Sequence, residues 1–598
     1  MSKIRSPGVY IEKGLDREPT LGMGPSGQPG FLGLCTRGPL HTPVRVTNYE
    51  QFLDTFGAPL EGSHLPRAIE GFFENGGKVC YVVRVAHTFR RGRSRVATVA
   101  QQTLPDRKGE ATIRLEARDQ GTWGNDIRVT VKTPEPSVQT LMTRDLDPGQ
   151  TSIGVRSGRG FQVGSICRLS DGKQERYVTI NRVTSRELGW LEQLDVGFRS
   201  SAPTLIEPMT LEITAEVPGY RESFDNLSFA PLSGRYFERL INAESELLRV
   251  HNLKSGSKFP DNLPVEVERL QLQGGTDGLR DIQPADFIGI NNGPGLRFGL
   301  GALEEVDEVD LIVIPDLFAA PEISAAHGGR GFRNPRSGKV NPRDFYAVQE
   351  AMVSHCERLK TRIALLDMPP KASFEEAQAW RLMFDSDYAA LYYPWIVLPG
   401  GSGPRSKIIV PPSGHIAGAF ARSDEEGVQN PPANEELIGA IDLDTLLNDA
   451  HLAELNNKGI NCIKYIPFRG IRIWGVRTMS SDPQWRYINV RRIINALRMA
   501  IESGTQWVVF EPNNSVLWKK IEMELSAFLT ELWRQGYFQG LTPEESFYVK
   551  CDEDLNLPET VDAGQLFCEI GVAPVRPAEF IIFRVQQSME HRTDEKDE

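Results

Sequence analysis

The chain has 598 residues, 40% of them apolar and 24% charged, with a net charge of −12. That length exceeds one hydrophobic core, so two to four domains are expected. The acidic balance argues against a nucleic-acid partner, which would need a basic surface.

The first predicted element is a short strand, Gly8, Val9, Tyr10, Ile11 and Glu12, rich in residues that suit an extended backbone. Residues 14–30 are dense in Gly and Pro and read as a linker, which puts the first folded element at Phe31. Residues 31–85 form a mixed α/β segment that ends in a buried strand, Val79–Val85. Residues 86–220 change character. Short alternating runs, among them 111–117, 127–132, 162–169 and 177–183, are separated by turn signals and predict a β-rich inserted domain. Residues 221–444 predict a central α/β domain with parallel strands, at 309–315 and 362–367.

Residues 445–575 predict a compact C-terminal α/β domain. Within it, Val490, Ile493, Ile494, Leu497 and Ile501 mark one face of an amphipathic helix over 487–501. A strand is predicted at 507–510. Asn514 or Ser515 then caps a second helix, with Leu517, Ile521, Leu525, Phe528 and Leu532 on its buried face. Residues 576–598 hold a last strand, Phe580, Ile581, Ile582, Phe583, Arg584 and Val585, and a charged tail expected to be disordered. Strands at both extremes are unusual. A lone strand has no stability, so each must join a sheet, in its own subunit or on a neighbour's edge.

The chemical motifs are weak. Gly274–Gly278 lacks the Lys-Ser/Thr of a phosphate loop. Ser413 and His415 lie close in sequence without a G-x-S-x-G elbow. The histidines show no metal spacing, and no catalytic residue, cofactor or metal is expected. Asp385, Asp387 and Asp424 read as surface ion-pair partners. The seven cysteines are odd in number and widely spaced, as buried thiols in a reducing compartment would be. No apolar run suits a signal peptide or a membrane span, so direct membrane insertion is not expected and assembly in the cytoplasm is.

Several blocks together carry a resemblance. Ser6–Glu12, Gly33–Gly57, Phe72–Val85 (FFENGGKVCYVVRV) and Gly121–Asn125 (GTWGN) resemble successive motifs of the phage tail sheath family, shared by contractile injection systems. Gly274–Gly278, Tyr392–Trp395, Pro411–Gly418 (PPSGHIAG), Pro432–Asn434, Ile473–Thr478 (IWGVRT) and Pro574–Gln587 follow in family order.

The resemblance implies a multidomain mixed α/β structural subunit, not an enzyme. Such subunits polymerise as stacked hexameric rings around an inner tube and contract to drive that tube through a target envelope. The implied partners are other copies of the chain, the inner tube protein, and baseplate and terminal cap proteins. The final location would be a phage tail, an extracellular particle or a cell-anchored apparatus. The terminal strands, 8–12 and 580–585, would be exchanged between subunits. Arg491, Arg492 and Arg498, read as lying off the apolar face of the helix, with Arg486 just before it, form either a solvated charged face or a grip on an acidic tube. The competing readings are a soluble α/β hydrolase with self-contained terminal strands and a minor baseplate-proximal sheath paralogue.

Overall fold

The computed structural model describes residues 21–579 apart from 89–95, 258, 292, 294, 330–331, 334–336 and 401–405. Both predicted terminal strands, Gly8–Glu12 and Phe580–Val585, lie outside the described residues.

An eight-stranded sheet forms the body. Its strands are β1 (Pro29–Gly33), β2 (Val44–Val46), β3 (Cys80–Arg84), β4 (Leu311–Val313), β5 (Ile363–Asp367), β6 (Ala389–Tyr393), β7 (Ile460–Ile466) and β8 (Gly470–Trp474), in the spatial order β2-β3-β1-β4-β5-β6-β7-β8. The six strands from β3 to β7 run parallel, while β2 and β8 are antiparallel additions at the two edges. Strands β1, β3, β4, β5 and β6 lack polar alternation because both faces are covered. Phe31, Val82, Val313, Leu365 and Tyr392 point to one core. Leu32, Val83, Ile312, Leu366 and Tyr393 point to the other.

Helices α1 (Tyr49–Phe56), α2 (Leu65–Glu74) and α4 (Ser413–Asp424) fill the first core, and α3 (Pro342–Leu359) helps fill the second. The P-P-S-G-H-I-A-G run owes its glycines to close helix packing. A Cβ at Gly414 would lie 2.5 Å from Cα of Ala68, and one at Gly418 would lie 2.5 Å from the Phe72 carbonyl oxygen. These glycines let α4 press against α2.

The sheet redraws the expected boundaries. Residues 31–85, the central segment and β7–β8 share one sheet. They are not three units, because parallel pairing joins strands distant in sequence. The insertion also runs past 220: Val267–Gln271 returns to pair with Arg128–Lys132, and Thr98 pairs with Thr276. The alternation of 211–217 and 220–227 belongs to that same sheet.

The insertion has two cores. One is shared by a three-stranded and a four-stranded sheet, and the other lies within a six-stranded sheet over 140–208. Its neck is clamped. Asn125 and Gly275 exchange hydrogen bonds of 3.0 and 2.9 Å, and Asp277 accepts from Thr122 at 2.8 and 2.7 Å. Beside it the fully buried Arg84 donates to the carbonyls of Cys35, Gly38 and Gln120 at 2.7–3.1 Å, tying the insertion to the end of β1.

The C-terminal unit follows β8. Helices α5 (Ile488–Gly504) and α6 (Ser515–Arg534) pack together, and Asn514 caps α6 by accepting from Val516 and Leu517. Residues 507–510 are not the predicted strand: 506–508 form a 3-10 turn, and Phe510 sits at a positive φ with its ring exposed. The strands described in the unit lie further on, β9 (Phe547–Lys550) and β10 (Glu569–Val572), paired as an antiparallel ribbon.

Candidate assembly surface

The chain enters the described body at Leu21 and leaves it at Glu579. Both ends converge on the C-terminal unit.

At the entry, residues 21–28 are not the free linker expected of their composition. Leu21 packs against Gly504 of α5 and against the cluster that contains Phe528, Val549 and Ile570. The backbone N–H groups of Gly27 and Gln28 donate to the Asp310 carboxylate at 2.9 and 2.7 Å. Asp310 is held in turn by Arg492 at 3.1 Å, and Arg492 also grips Asp424 through both ends of its guanidinium. Burial opposes the Arg492 charge, but Asp424 and Asp310 outweigh that cost and raise its pKa. Gly and Pro leave this segment without a path of its own, so the partly buried Asp310 carboxylate supplies one.

At the exit, Glu579 accepts two hydrogen bonds from Arg477, at 2.8 and 2.5 Å, and one from the Tyr487 hydroxyl at 3.3 Å. Burial disfavours the Glu579 carboxylate, yet these partners hold its pKa below the usual range. Asn461 fixes Arg477 by bonding its backbone on both sides, at 2.7 Å each. Upstream, Asn489 donates to the Val575 carbonyl at 3.0 Å. The root of the last strand therefore lies along the start of α5, one residue before Phe580.

Between the two roots lies the β9–β10 ribbon, which has no further strand partner among the described residues. Its inward side chains, Val549, Ile570 and Val572, share the apolar cluster with Leu21 and Val575.

The basic face expected on α5 divides in two. Arg491 and Arg492 are 5% and 4% exposed. Arg491 pairs with Asp387, donates to the Tyr388 hydroxyl at 3.0 Å and lies 3.6 Å from the Trp485 ring. Neither offers its charge at the surface, and Asp424, expected in a surface pair, is buried with Arg492. The cause is that α5 is wedged between the body and α6, so its polar face is covered as well as its apolar one. Arg486 and Arg498 are exposed.

Asp310, Arg477 and Glu579 escaped sequence reasoning. Arg477 lay within a quoted motif, but its pairing with a carboxylate 102 residues away had no local signal.

Ser413 and His415 do not form a relay. The Ser413 hydroxyl donates to Asp367 at 2.6 Å. The His415 ring lies against Gly71 in the α2–α4 contact, where burial pushes its pKa down to about 4. Among the described residues no group of His, Cys, Asp and Glu has the arrangement of a metal site, and no helix is long and apolar enough to cross a membrane.

Comparison with known proteins divides the chain where the sheet does. Residues 342–479 match the phage tail sheath protein central domain, and residues 480–588 match the phage tail sheath C-terminal domain. A prophage major tail sheath protein of Pseudomonas aeruginosa is 30% identical over 255 residues, covering 40% of this chain and 61% of that one. The tail sheath protein of Vibrio phage KVP40 is 30% identical over 179 residues, covering 29% of this chain and 26% of its own. The chain thus spans less than two thirds of the length of either relative. Among solved structures, the sheath tail protein of Listeria innocua superposes with a TM-score of 0.52 at 12% identity, covering 93% of this chain and 96% of that one. The contracted helical sheath of the anti-feeding prophage gives 0.50 at 19% identity, covering 98% and 100%. These two likenesses concern the fold.

Proposed function

We propose that this chain, whose residues 342–588 match the central and C-terminal domains of the phage tail sheath family, is the repeating subunit of a contractile sheath, held to its neighbours by exchanged terminal strands. It would stack as hexameric rings around an inner tube, end at a baseplate and a cap, and contract to drive the tube through a target envelope. The work comes from two packings of one subunit, with the contracted one lower in energy, so no nucleotide or catalytic step is required.

One observation carries the reading. Leu21 near the entry and Val575 near the exit share the apolar cluster of the β9–β10 ribbon, which has no further strand partner among the described residues. A two-stranded ribbon is marginal alone and gains from added strands. The two roots differ in reach. Phe580 follows the Glu579 anchor directly, so its strand starts at the body. The eight residues between Glu12 and Leu21 span up to about 30 Å when extended, enough to reach a neighbouring subunit. Each exchanged strand would add a handful of main-chain hydrogen bonds at about 1 kcal/mol net apiece, repeated through the polymer.

Deleting residues 1–12 tests this. The truncated chain should fold, with an unchanged melting temperature, and form no contractile tubes under negative-stain microscopy. Normal sheaths from the truncated chain would overturn the proposal.

For the tube, the exposed Arg486 and Arg498 remain the candidates. Arg486→Glu with Arg498→Glu should weaken tube association most at low salt, where surface charge is least screened, and should leave stability within about 0.5 kcal/mol. Unchanged co-sedimentation with the tube would remove them from the interface.

A further inference from the structure

Six of the seven cysteines are buried and Cys568 is half-buried. For Cys35, Cys80, Cys167, Cys356 and Cys462, burial raises the thiol pKa, against a nearby arginine at Cys35 and Cys356, with no second thiol involved. Cys551 and Cys568 are different: each thiol feels the other within hydrogen-bonding reach.

Their placement follows from the ribbon. Lys550 pairs with Glu569 at the last rung of β9–β10, and continuing that register by one step sets Cys551 against Cys568. Ala573 N donates to Ser546 O, which makes that opposed pair a hydrogen-bonded one. Alternation along an antiparallel ladder then makes Cys551 and Cys568 a non-hydrogen-bonded pair. Such pairs bring the two Cα atoms to about 4.5 Å, within the range that a disulfide spans. The loop between them is pinned at its base, where Asn556 exchanges hydrogen bonds of 2.7 and 2.9 Å with the backbone of Phe567. Cys551 itself donates to the Phe567 carbonyl at 3.7 Å.

We propose that Cys551 and Cys568 are a latent disulfide site, closed by a small-molecule disulfide such as glutathione disulfide once the protein leaves a reducing compartment. Cys568, the more accessible of the two, attacks as a thiolate. It forms a mixed disulfide and expels one glutathione thiolate. Cys551 then attacks the Cys568 sulfur and expels the second. Two electrons pass from the cysteine pair to the oxidant, and the two protons end on glutathione or solvent. The bond ties the two strands of the ribbon at its end and limits how far they can part. On the sheath reading, that fixes the spacing of the two edges that receive neighbouring strands.

Burial, and then the neighbouring Cys551, push the Cys568 thiol up to about 12. Closure at neutral pH is therefore slow, and its rate should rise about tenfold per pH unit.

The test treats the purified full-length chain with glutathione disulfide at mildly alkaline pH, alkylates the remaining thiols and maps peptides by mass spectrometry without reduction. The expected product links Cys551 to Cys568, is lighter by two hydrogen atoms and carries no glutathione. Hydrogen exchange should slow across 547–550 and 569–572. In Cys551→Ser, Cys568 should retain glutathione as a stable mixed disulfide. In Cys568→Ser, Cys551 should stay reduced. Persistent glutathione on Cys568 of the unsubstituted protein, or alkylation of both residues after prolonged oxidation, would overturn the proposal. Because the readout is chemical, it holds or fails independently of whether the chain forms sheaths.

Discussion

The eight-stranded sheet and the two-stranded ribbon solve the same problem in opposite ways. The sheet closes its own edges. On one side β2 has three residues, and on the other residues 434–437 exchange backbone hydrogen bonds with β8 at Ile471 and Ile473. Its buried charges also find partners inside the subunit. The ribbon has no further strand partner among the described residues, and around it Phe510, Val516, Met523, Leu541 and Tyr548 are more than half exposed. Open strand edges are a liability in a monomer. A region that keeps them beside a closed body is built for a partner, and body and ribbon should respond differently to substitution.

Arg492 gives the largest contrast. It sits where body, arm root and C-terminal unit meet, so Arg492→Ala leaves Asp424 and Asp310 without their shared cation. Removing one partner of a buried ion pair costs about 3–5 kcal/mol. Chemical denaturation should show that loss. A cost within the range of a surface substitution would mean that the arm root is not part of the closed body.

A smaller effect with a definite pH signature comes from Asp367, at the end of β5. Burial raises its carboxyl to about 7, against the hydrogen bonds from Ser413. The folded state therefore holds this proton more tightly than the unfolded one, and stability falls as pH rises from the ordinary carboxylate range near 4 through 7. Asp367→Asn removes that dependence. It should stabilise the protein by about 1–2 kcal/mol above pH 7 and have little effect at pH 4. Equal effects at both pH values would contradict the assignment.

The smallest change in stability should accompany the largest change in assembly. Val549 opposes Ile570 in a non-hydrogen-bonded pair, so its N–H points to the open edge of the ribbon. Val549→Pro removes that donor and spares the ladder. Thermal unfolding should register no more than about 1 kcal/mol, while tube formation fails if a neighbour's strand docks there. Normal tubes would show that the edge formed by β9 is not used.

Much of the architecture was legible locally. Apolar runs marked β3, β4 and β5, and helical periodicity with an Asn cap marked α5 and α6. The strand expected at 507–510 failed because an apolar run that short does not say whether a sheet edge is there to receive it. The basic face of α5 failed for a related reason. Periodicity identifies the face that wants burial, but it cannot show that the opposite face is also covered, with a carboxylate waiting for each of two arginines. The boundary at 220 failed because the last strand of that sheet, Val267–Gln271, lies 40 residues beyond the preceding one in sequence, Tyr220–Leu227, and pairs with Arg128–Lys132.

By itself the sequence determined most of the kinds of element, because propensity, periodicity and turn chemistry act over a few residues; the strands expected at both extremes lie outside the described residues. Only the tertiary structure decided which strands share a sheet, which arginines are neutralised inside the subunit, how Leu21 and Glu579 are anchored and which edges lack a partner among the described residues. Those outcomes depend on contacts between segments hundreds of residues apart, whose energies appear only once the chain is packed.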